Sequence, residues 1–379
     1  MKIGIDARFV GPQGTGLGKY TEKLIINLAN IDSENKYSIF LRKDNWNYLD
    51  LKKFNNFEKV PADIPWYTLE EQLKLPKIFE KSNLDLLHVP HFNAPIFYKG
   101  KMVMTIHDLI HHSFKEQTAT TRNPFIFHIK RLGYKAVIFL AVRKSAKIMV
   151  PSNFVKKEVT GTFKLSSSKV VVTYEAAEEE YFKNIQLSES TYQRLLEKYQ
   201  IKNPFIIYVG NAYPHKNLAR LLDAVYLLKN INLLVACPRD VFAGRLLNEV
   251  KQRQLGNRVV ILPFMPPKIL SQLFRKAKAY VFPSLSEGFG IPGLNAMAAG
   301  IPVIASSIPT LEEVYGEAAL YFDPQNPYDI ADKIKQVFAY PKLRSKLITA
   351  GADQVKKYSW RKMAQETMKV YQEVTSKGF

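Results

Sequence analysis

The stretch Glu287-Gly-Phe-Gly290-Ile-Pro292 combines residue types suited to holding an anion beside a sugar. Gly288 and Gly290 allow backbone angles that other residues resist. Pro292 fits the first turn of a helix, where its missing N–H costs nothing. The N–H groups around Phe289, Gly290 and Ile291 therefore stand at a helix N-terminus, a natural anion site. Glu287 is a poor ligand for that anion. It is well placed to accept hydrogen bonds from sugar hydroxyls attached to it. A second stretch, Gly210-Asn211-Ala-Tyr-Pro-His215-Lys216-Asn217, precedes another helix. Lys216 there opposes the helix dipole, a placement that is unfavourable without an anion.

The elements that must carry these residues are legible around them. Ala279 to Phe282 is a short apolar run suited to a buried strand. Gly300 stops the helix and Pro302 opens the next strand. The unit is βαβ, and its loop falls at the carboxyl end of a parallel sheet, where open α/β sheets bind ligands. Phe205 to Val209 is the strand before Lys216, with Leu233 to Ala236 and Arg258 to Leu262 as neighbours. In the first half, strands are expected over Lys2–Asp6, Tyr37–Leu41, Leu84–Val89, Lys101–Ile106, Ile148–Val150 and Lys169–Thr173. A glycine-rich loop with Gly14, Gly16 and Gly18 follows the first strand. It is not a P-loop: Gln13 replaces the first glycine, and Tyr20 stands where a Ser or Thr would hold magnesium.

The segment Glu287 to Val303 resembles the signature of the retaining glycosyltransferases of family 4, which have the GT-B fold. That signature reads Glu-Gly-Phe-Gly-Leu-Pro, a second Glu, then Ala-Met-Ala-x-Gly-x-Pro-Val. The resemblance implies an α/β protein of two Rossmann-like parallel-sheet domains facing across a cleft. It implies that Glu287 contacts the donor sugar and that Phe289, Gly290 and Ile291 receive the diphosphate. Lys216 matches the lysine that binds donor phosphates. Gly16 and Gly18 match the loop that closes over the diphosphate, and Thr105-Ile-His107-Asp108 resembles the segment whose His approaches the transferred sugar. Two positions depart. Asn295 stands where the second Glu would hold the ribose, a loss of about 1 kcal/mol on replacing a charged hydrogen bond by a neutral one. Asn211 replaces an upstream Arg, which leaves His215 or another basic group to share the phosphates. These departures keep a second reading open, a nucleotide-binding GT-B protein with weak or no turnover.

The cluster His107, His111 and His112 invites a zinc reading, while His91 reads as a loop histidine. There is no His-Glu-x-x-His, and the lone Cys237 removes the cysteine-rich zinc motifs. No metal and no cofactor are expected, and no Asp-x-Asp pair is present to hold magnesium. The expected partners are a GDP-sugar or UDP-sugar donor and a glycan or polyprenyl-linked acceptor. The net charge of +20 over 379 residues favours anionic partners. His128 to Lys157 holds eight Lys or Arg and no acid, interleaved with apolar residues. Its flanks could lie on an anionic membrane surface. Charge alone would also suit nucleic acid, but no recognition signature supports that. No apolar run approaches the roughly 20 residues that span a bilayer, and the start reads as a strand. A cytoplasmic protein, peripheral at the inner face of the membrane, is expected.

The expected organisation is residues 1–176 as an acceptor domain, 177–358 as a donor domain, and 359–379 as a helix returning to the first. The connection is expected between Glu175 and Asn203, a charged run. The resemblance implies transfer of a hexose, most often mannose, with retention of configuration. Lys216, the amides near Gly290 and the Gly16/Gly18 loop would stabilise the leaving diphosphate.

Overall fold

The structure is a computed structural model, and it describes residues 1–11, 14–110, 124–183, 188–238, 240–263 and 265–376. The side chains of residues 15, 124–132 and 134 are not described. Gln13, His111, His112 and Phe264 lie outside the described residues. The chain forms two compact units, Met1–Glu175 with Ser359–Phe379, and Ala176–Tyr358.

The first unit is built on seven parallel strands. They are β1 (Lys2–Asp6), β2 (Lys36–Leu41), β3 (Phe57–Pro61), β4 (Leu86–Val89), β5 (Met102–Thr105), β6 (Lys147–Val150) and β7 (Val170–Val172). Their order is β3-β2-β1-β4-β5-β6-β7. β4 and β5 are buried along their whole length, as central parallel strands covered on both faces must be. The strand order reverses between β1 and β4, which pair directly. β3 is not legible in the sequence. Phe-Glu-Lys-Val-Pro lacks an apolar run because it is a half-exposed edge strand, with Pro61 at its end.

The second unit has six parallel strands in the order β10-β9-β8-β11-β12-β13. They are β8 (Phe205–Val209), β9 (Asn232–Ala236), β10 (Val259–Leu262), β11 (Tyr280–Phe282), β12 (Val303–Ser306) and β13 (Ala319–Phe322). Here the order reverses between β8 and β11. Ligands of open α/β sheets bind beyond the carboxyl ends of the strands at such a reversal.

The charged run Glu175 to Asn203 is more than a connection. Its helices Glu179–Phe182 and Glu189–Tyr199 belong to the second unit. Tyr181 and Tyr192, apolar islands in that run, are buried. Arg275 ties the segment down by donating to the carbonyls of Tyr181 (2.6 Å) and Lys183 (3.0 Å).

The last helix, Trp360–Ser376, belongs to the first unit and packs on the helix Thr15–Ile31. Tyr371 Oη lies 2.6 Å from His88 Nδ1, and His88 Nε2 lies 2.9 Å from Thr105 Oγ1. Thr105 Oγ1 in turn lies 3.3 Å from Tyr20 Oη. All four side chains are buried, so one hydrogen-bonded chain fastens the C-terminal helix to β4, β5 and the first helix. Burial pushes the His88 imidazole down to about 3, so it is neutral.

Candidate active site

Lys216 and Glu287 sit just past the carboxyl ends of β8 and β11, the two strands that flank the reversal in the second unit. Their loops are stitched together locally. The Leu285 N–H donates to the His215 carbonyl at 2.8 Å. Asn217, held at φ 58°, donates its side-chain amide to the carbonyls of Pro283 (3.0 Å) and Pro324 (2.7 Å). These bonds bring Lys216 Nζ to 2.6 Å from Glu287 Oε1. Both side chains are mostly buried, at 16% and 9% exposure. Thr310 Oγ1 donates to the Glu287 carbonyl at 2.8 Å and fixes its backbone.

The helix Ile291–Ala298 starts from Gly290, whose φ of 98° suits glycine. Tyr315 Oη donates to the Gly290 carbonyl at 2.5 Å. A Cβ on Gly290 would stand 2.5 Å from that hydroxyl, so packing and conformation both require glycine. The Phe289 side chain is buried, edge-on to Tyr358, so only the backbone of this residue can face a ligand. No side chain caps this helix, and its first turn holds no acidic residue. The positive end of the helix therefore stands beside the Lys216–Glu287 pair.

The other donor-side candidates divide. Asn295 is buried, and its Oδ1 accepts the Glu178 N–H at 2.9 Å. Its amide oxygen thus serves the segment that enters the second unit. Asn211 offers its carbonyl to Tyr208 Oη at 2.8 Å, and the buried His215 ring lies beside Tyr213. In the first unit, Gly18 is fixed by packing: a Cβ there would stand 2.5 Å from the Phe9 carbonyl oxygen. Gly16 is exposed and a Cβ on it would meet nothing within 4 Å. The two glycines differ in kind, one structural and one open.

His107 follows β5 at the same edge of the first sheet. Its Nδ1 lies 3.0 Å from Glu175 Oε1, and its Nε2 lies 3.1 Å from the Pro90 carbonyl oxygen. A carbonyl and a carboxylate only accept, so the protonated ring, with both nitrogens donating, satisfies both contacts. Desolvation works against that charge, but the Glu175 hydrogen bond and charge, with the Pro90 carbonyl and the Asp108 charge, together hold the pKa of His107 above its ordinary value. Tyr20 packs edge-on against the ring at 4.5 Å. Glu175 was not singled out by sequence reasoning. It looks like one more acid in a charged run, and only the return of the chain past β7 places it against His107.

His91 is buried and its Nδ1 accepts the Asn93 N–H at 3.1 Å, a local loop bond. Among the described residues no group of three or more His, Cys, Asp or Glu is gathered as a metal site requires. Cys237 is buried, and burial raises its thiol to about 11.

Comparison with known proteins bears on this arrangement. Residues 193–354 match the family described as Glycosyl transferases group 1, and residues 16–180 match Glycosyltransferase Family 4. The chain is 26% identical to the O-antigen chain mannosyltransferase RfbU of Salmonella typhimurium, over 88% of this chain and 90% of that protein. It is 29% identical to the O-antigen chain mannosyltransferase B of Escherichia coli, over 76% of this chain and 74% of that one. Among solved structures, HepE of Anabaena in complex with UDP-glucose superposes with a TM-score of 0.73 at 17% identity, covering 98% of this chain and 100% of that one. That likeness concerns the fold, which is GT-B.

Proposed function

Because the chain belongs to the group 1 and family 4 glycosyltransferases and is a glycosyltransferase enzyme, we propose that it moves mannose from a nucleoside diphosphate to a glycan or polyprenyl-linked acceptor in cell-surface polysaccharide synthesis. The Lys216–Glu287 pair at the β8/β11 reversal carries this reading. A cation, a carboxylate and an uncapped helix N-terminus stand together there. Diphosphate suits the first and third, and sugar hydroxyls suit the second.

The reaction then needs little beyond positioning and charge. The bond from the anomeric carbon to the diphosphate oxygen breaks, and charge grows on that oxygen. Lys216 and the N–H groups around Gly290 stabilise it. A GDP-sugar or UDP-sugar fits this chemistry equally, with mannose favoured by the names of the relatives. We assign no divalent ion, because the cations come from the protein. The acceptor oxygen attacks from the face that the diphosphate leaves, so configuration is retained, and its proton passes to a departing phosphate oxygen. His107 is not the base, since both its ring nitrogens are engaged as donors. Its charge, present while the ring is protonated, instead adds a positive field at the edge of the first sheet.

The acceptor side has a membrane aspect in this reading. Phe139 and Leu140 are each 47% exposed on the helix Pro124–Lys144, which carries Lys135, Arg143 and Lys144. Apolar residues among lysines and arginines suit an anionic lipid surface. No described helix is long and apolar enough to cross a membrane.

The test is incubation with GDP-mannose, UDP-glucose and UDP-galactose in chelator, followed by NMR of the anomeric proton of the product. A retained α-configuration without metal supports the proposal. An inverted product, or turnover only with added magnesium, rejects that part of it. A second reading, a nucleotide binder without turnover, rests on Asn295, whose oxygen is engaged by Glu178. Nucleotide binding without transfer to any acceptor would favour it.

A further inference from the structure

We infer that Tyr67 is the stacking platform for a sugar ring of the glycan acceptor, held in place by a buried ion network beneath it. This assignment rests on the glycosyltransferase reading above and adds to it the residues that take the acceptor.

Arg8 follows β1 and is fully buried. It donates to both oxygens of Asp6, at 2.9 and 2.8 Å, to Glu71 Oε1 at 2.6 Å and to the Ile64 carbonyl at 3.0 Å. Glu71 is also fully buried, and its other oxygen accepts from the Asn93 amide and from the Tyr67 N–H, the latter at 2.8 Å. Two carboxylates against one guanidinium is an expensive arrangement to bury. Through Glu71 the network holds the backbone of Tyr67.

That backbone is unusual. Tyr67 has a φ of 59°, in the left-handed region that bulky side chains disfavour. The residue is nevertheless 58% exposed, so core packing does not explain the conformation. Residues held this way by an over-determined surrounding cluster at ligand sites. His91 orients the ring. Its Nδ1 accepts the Asn93 N–H, so Nε2 carries the proton in the neutral ring, 3.4 Å from Tyr67 Oη. The ring centroids stand 5.9 Å apart, edge to face. Trp66 is not an alternative platform, because Phe9 stacks on it at 4.3 Å and Arg42 lies 5.0 Å over its ring.

The location fits an acceptor. Arg8 follows β1, and His91 and Asn93 follow β4, so the cluster stands at the strand reversal of the first sheet. Pro90, adjacent to His91, accepts the His107 Nε2–H at 3.1 Å. The platform is therefore joined through one loop to His107. Sugar rings present an apolar C–H face to aromatic rings and hydroxyls at their edge, which an exposed tyrosine next to a histidine can meet.

The test is ligand-observed saturation-transfer NMR on the full chain, with methyl α-mannoside, methyl β-galactoside, methyl N-acetyl-β-glucosaminide and mannobiose as probes. GDP and UDP binding is measured in parallel. Tyr67→Gly is the main variant, because glycine accepts the left-handed backbone and should melt no lower than wild type. Tyr67→Phe keeps the ring and serves as the rescue. The expected result is saturation of at least one glycoside by wild type and by Tyr67→Phe. Tyr67→Gly should weaken it about tenfold, with nucleotide binding unchanged. Equal glycoside binding by wild type and Tyr67→Gly, or no glycoside bound while a nucleotide binds, overturns the platform alone. No nucleotide bound by any variant overturns the donor reading instead.

Discussion

Lys216 Nζ donates to Glu287 Oε1 at 2.6 Å, across 71 residues of sequence. A diphosphate that takes Lys216 must compete with Glu287 for it. Replacing Glu287 by Gln weakens the competitor and keeps the shape. Nucleoside diphosphate affinity is then expected to rise by about three- to tenfold, since charged hydrogen bonds exceed neutral ones by about 1 kcal/mol. Sugar transfer should fall by about 10²–10³, the usual cost of losing one fixed electrostatic group. Calorimetry with GDP or UDP and a turnover assay read the two effects separately. Parallel loss of both would mean that Glu287 serves the fold alone.

His107 and Glu175 are expected to make activity depend on pH. His107 is held above its ordinary pKa in the folded protein. Its contribution to stability is thus complete below about 6.5, the unfolded value, and is lost as pH rises through the raised folded value. Glu175→Gln removes the charge that favours the imidazolium. Its basic limb of kcat/KM should move to lower pH, and its thermal stability should lose less on going from pH 6 to pH 8. A profile that superposes on that of wild type would show that Glu175 does not set the charge of His107.

His88 has the opposite sign. Its folded pKa is depressed to about 3, so the neutral ring is stabilising above about 6.5 and that stability is lost as pH falls toward 3. Each pH unit in that window costs about 1.4 kcal/mol from this group. Tyr371→Phe removes the hydroxyl 2.6 Å from His88 Nδ1 and leaves a buried ring nitrogen without that partner. Denaturant unfolding at pH 7.5 is expected to show a loss of about 1–3 kcal/mol. A change below about 0.5 kcal/mol would mean that the C-terminal helix is held by its apolar face alone.

Asn295→Glu restores the carboxylate of the family signature at a buried position. The extra methylene should cost about 1–3 kcal/mol of stability, because the amide oxygen already accepts the Glu178 N–H. If the residue also reaches a ribose, nucleotide affinity should rise several-fold despite that cost. Lower stability with unchanged affinity would restrict Asn295 to its contact with Glu178.

Much of the fold was legible because it follows local rules. The βαβ unit around β11 is announced by its apolar strand, Gly290, Pro292 and Gly300, each with a conformational reason. Lys216 and Glu287 could each be singled out from their own loops, but their separation could not, since it depends on Asn217 reaching Pro283 and Pro324. β3 was hidden because an edge strand needs only one covered face. Glu175 and the Arg8–Glu71 network were hidden for a different reason. Their partners lie 68 and 63 residues away, and no period or motif marks a long-range hydrogen bond. The glycine loop shows the limit within a motif: Gly16 and Gly18 look alike in sequence, yet only Gly18 abuts the Phe9 backbone.

The most direct test is isothermal titration of GDP and UDP, in chelator, into wild type and Lys216→Ala. One nucleotide should bind wild type at about micromolar strength, and Lys216→Ala should weaken it about tenfold or more. Equal affinity in both proteins, or no binding of either nucleotide to wild type, would contradict the assignment of Lys216 and the N-terminus of the helix Ile291–Ala298 as the diphosphate site.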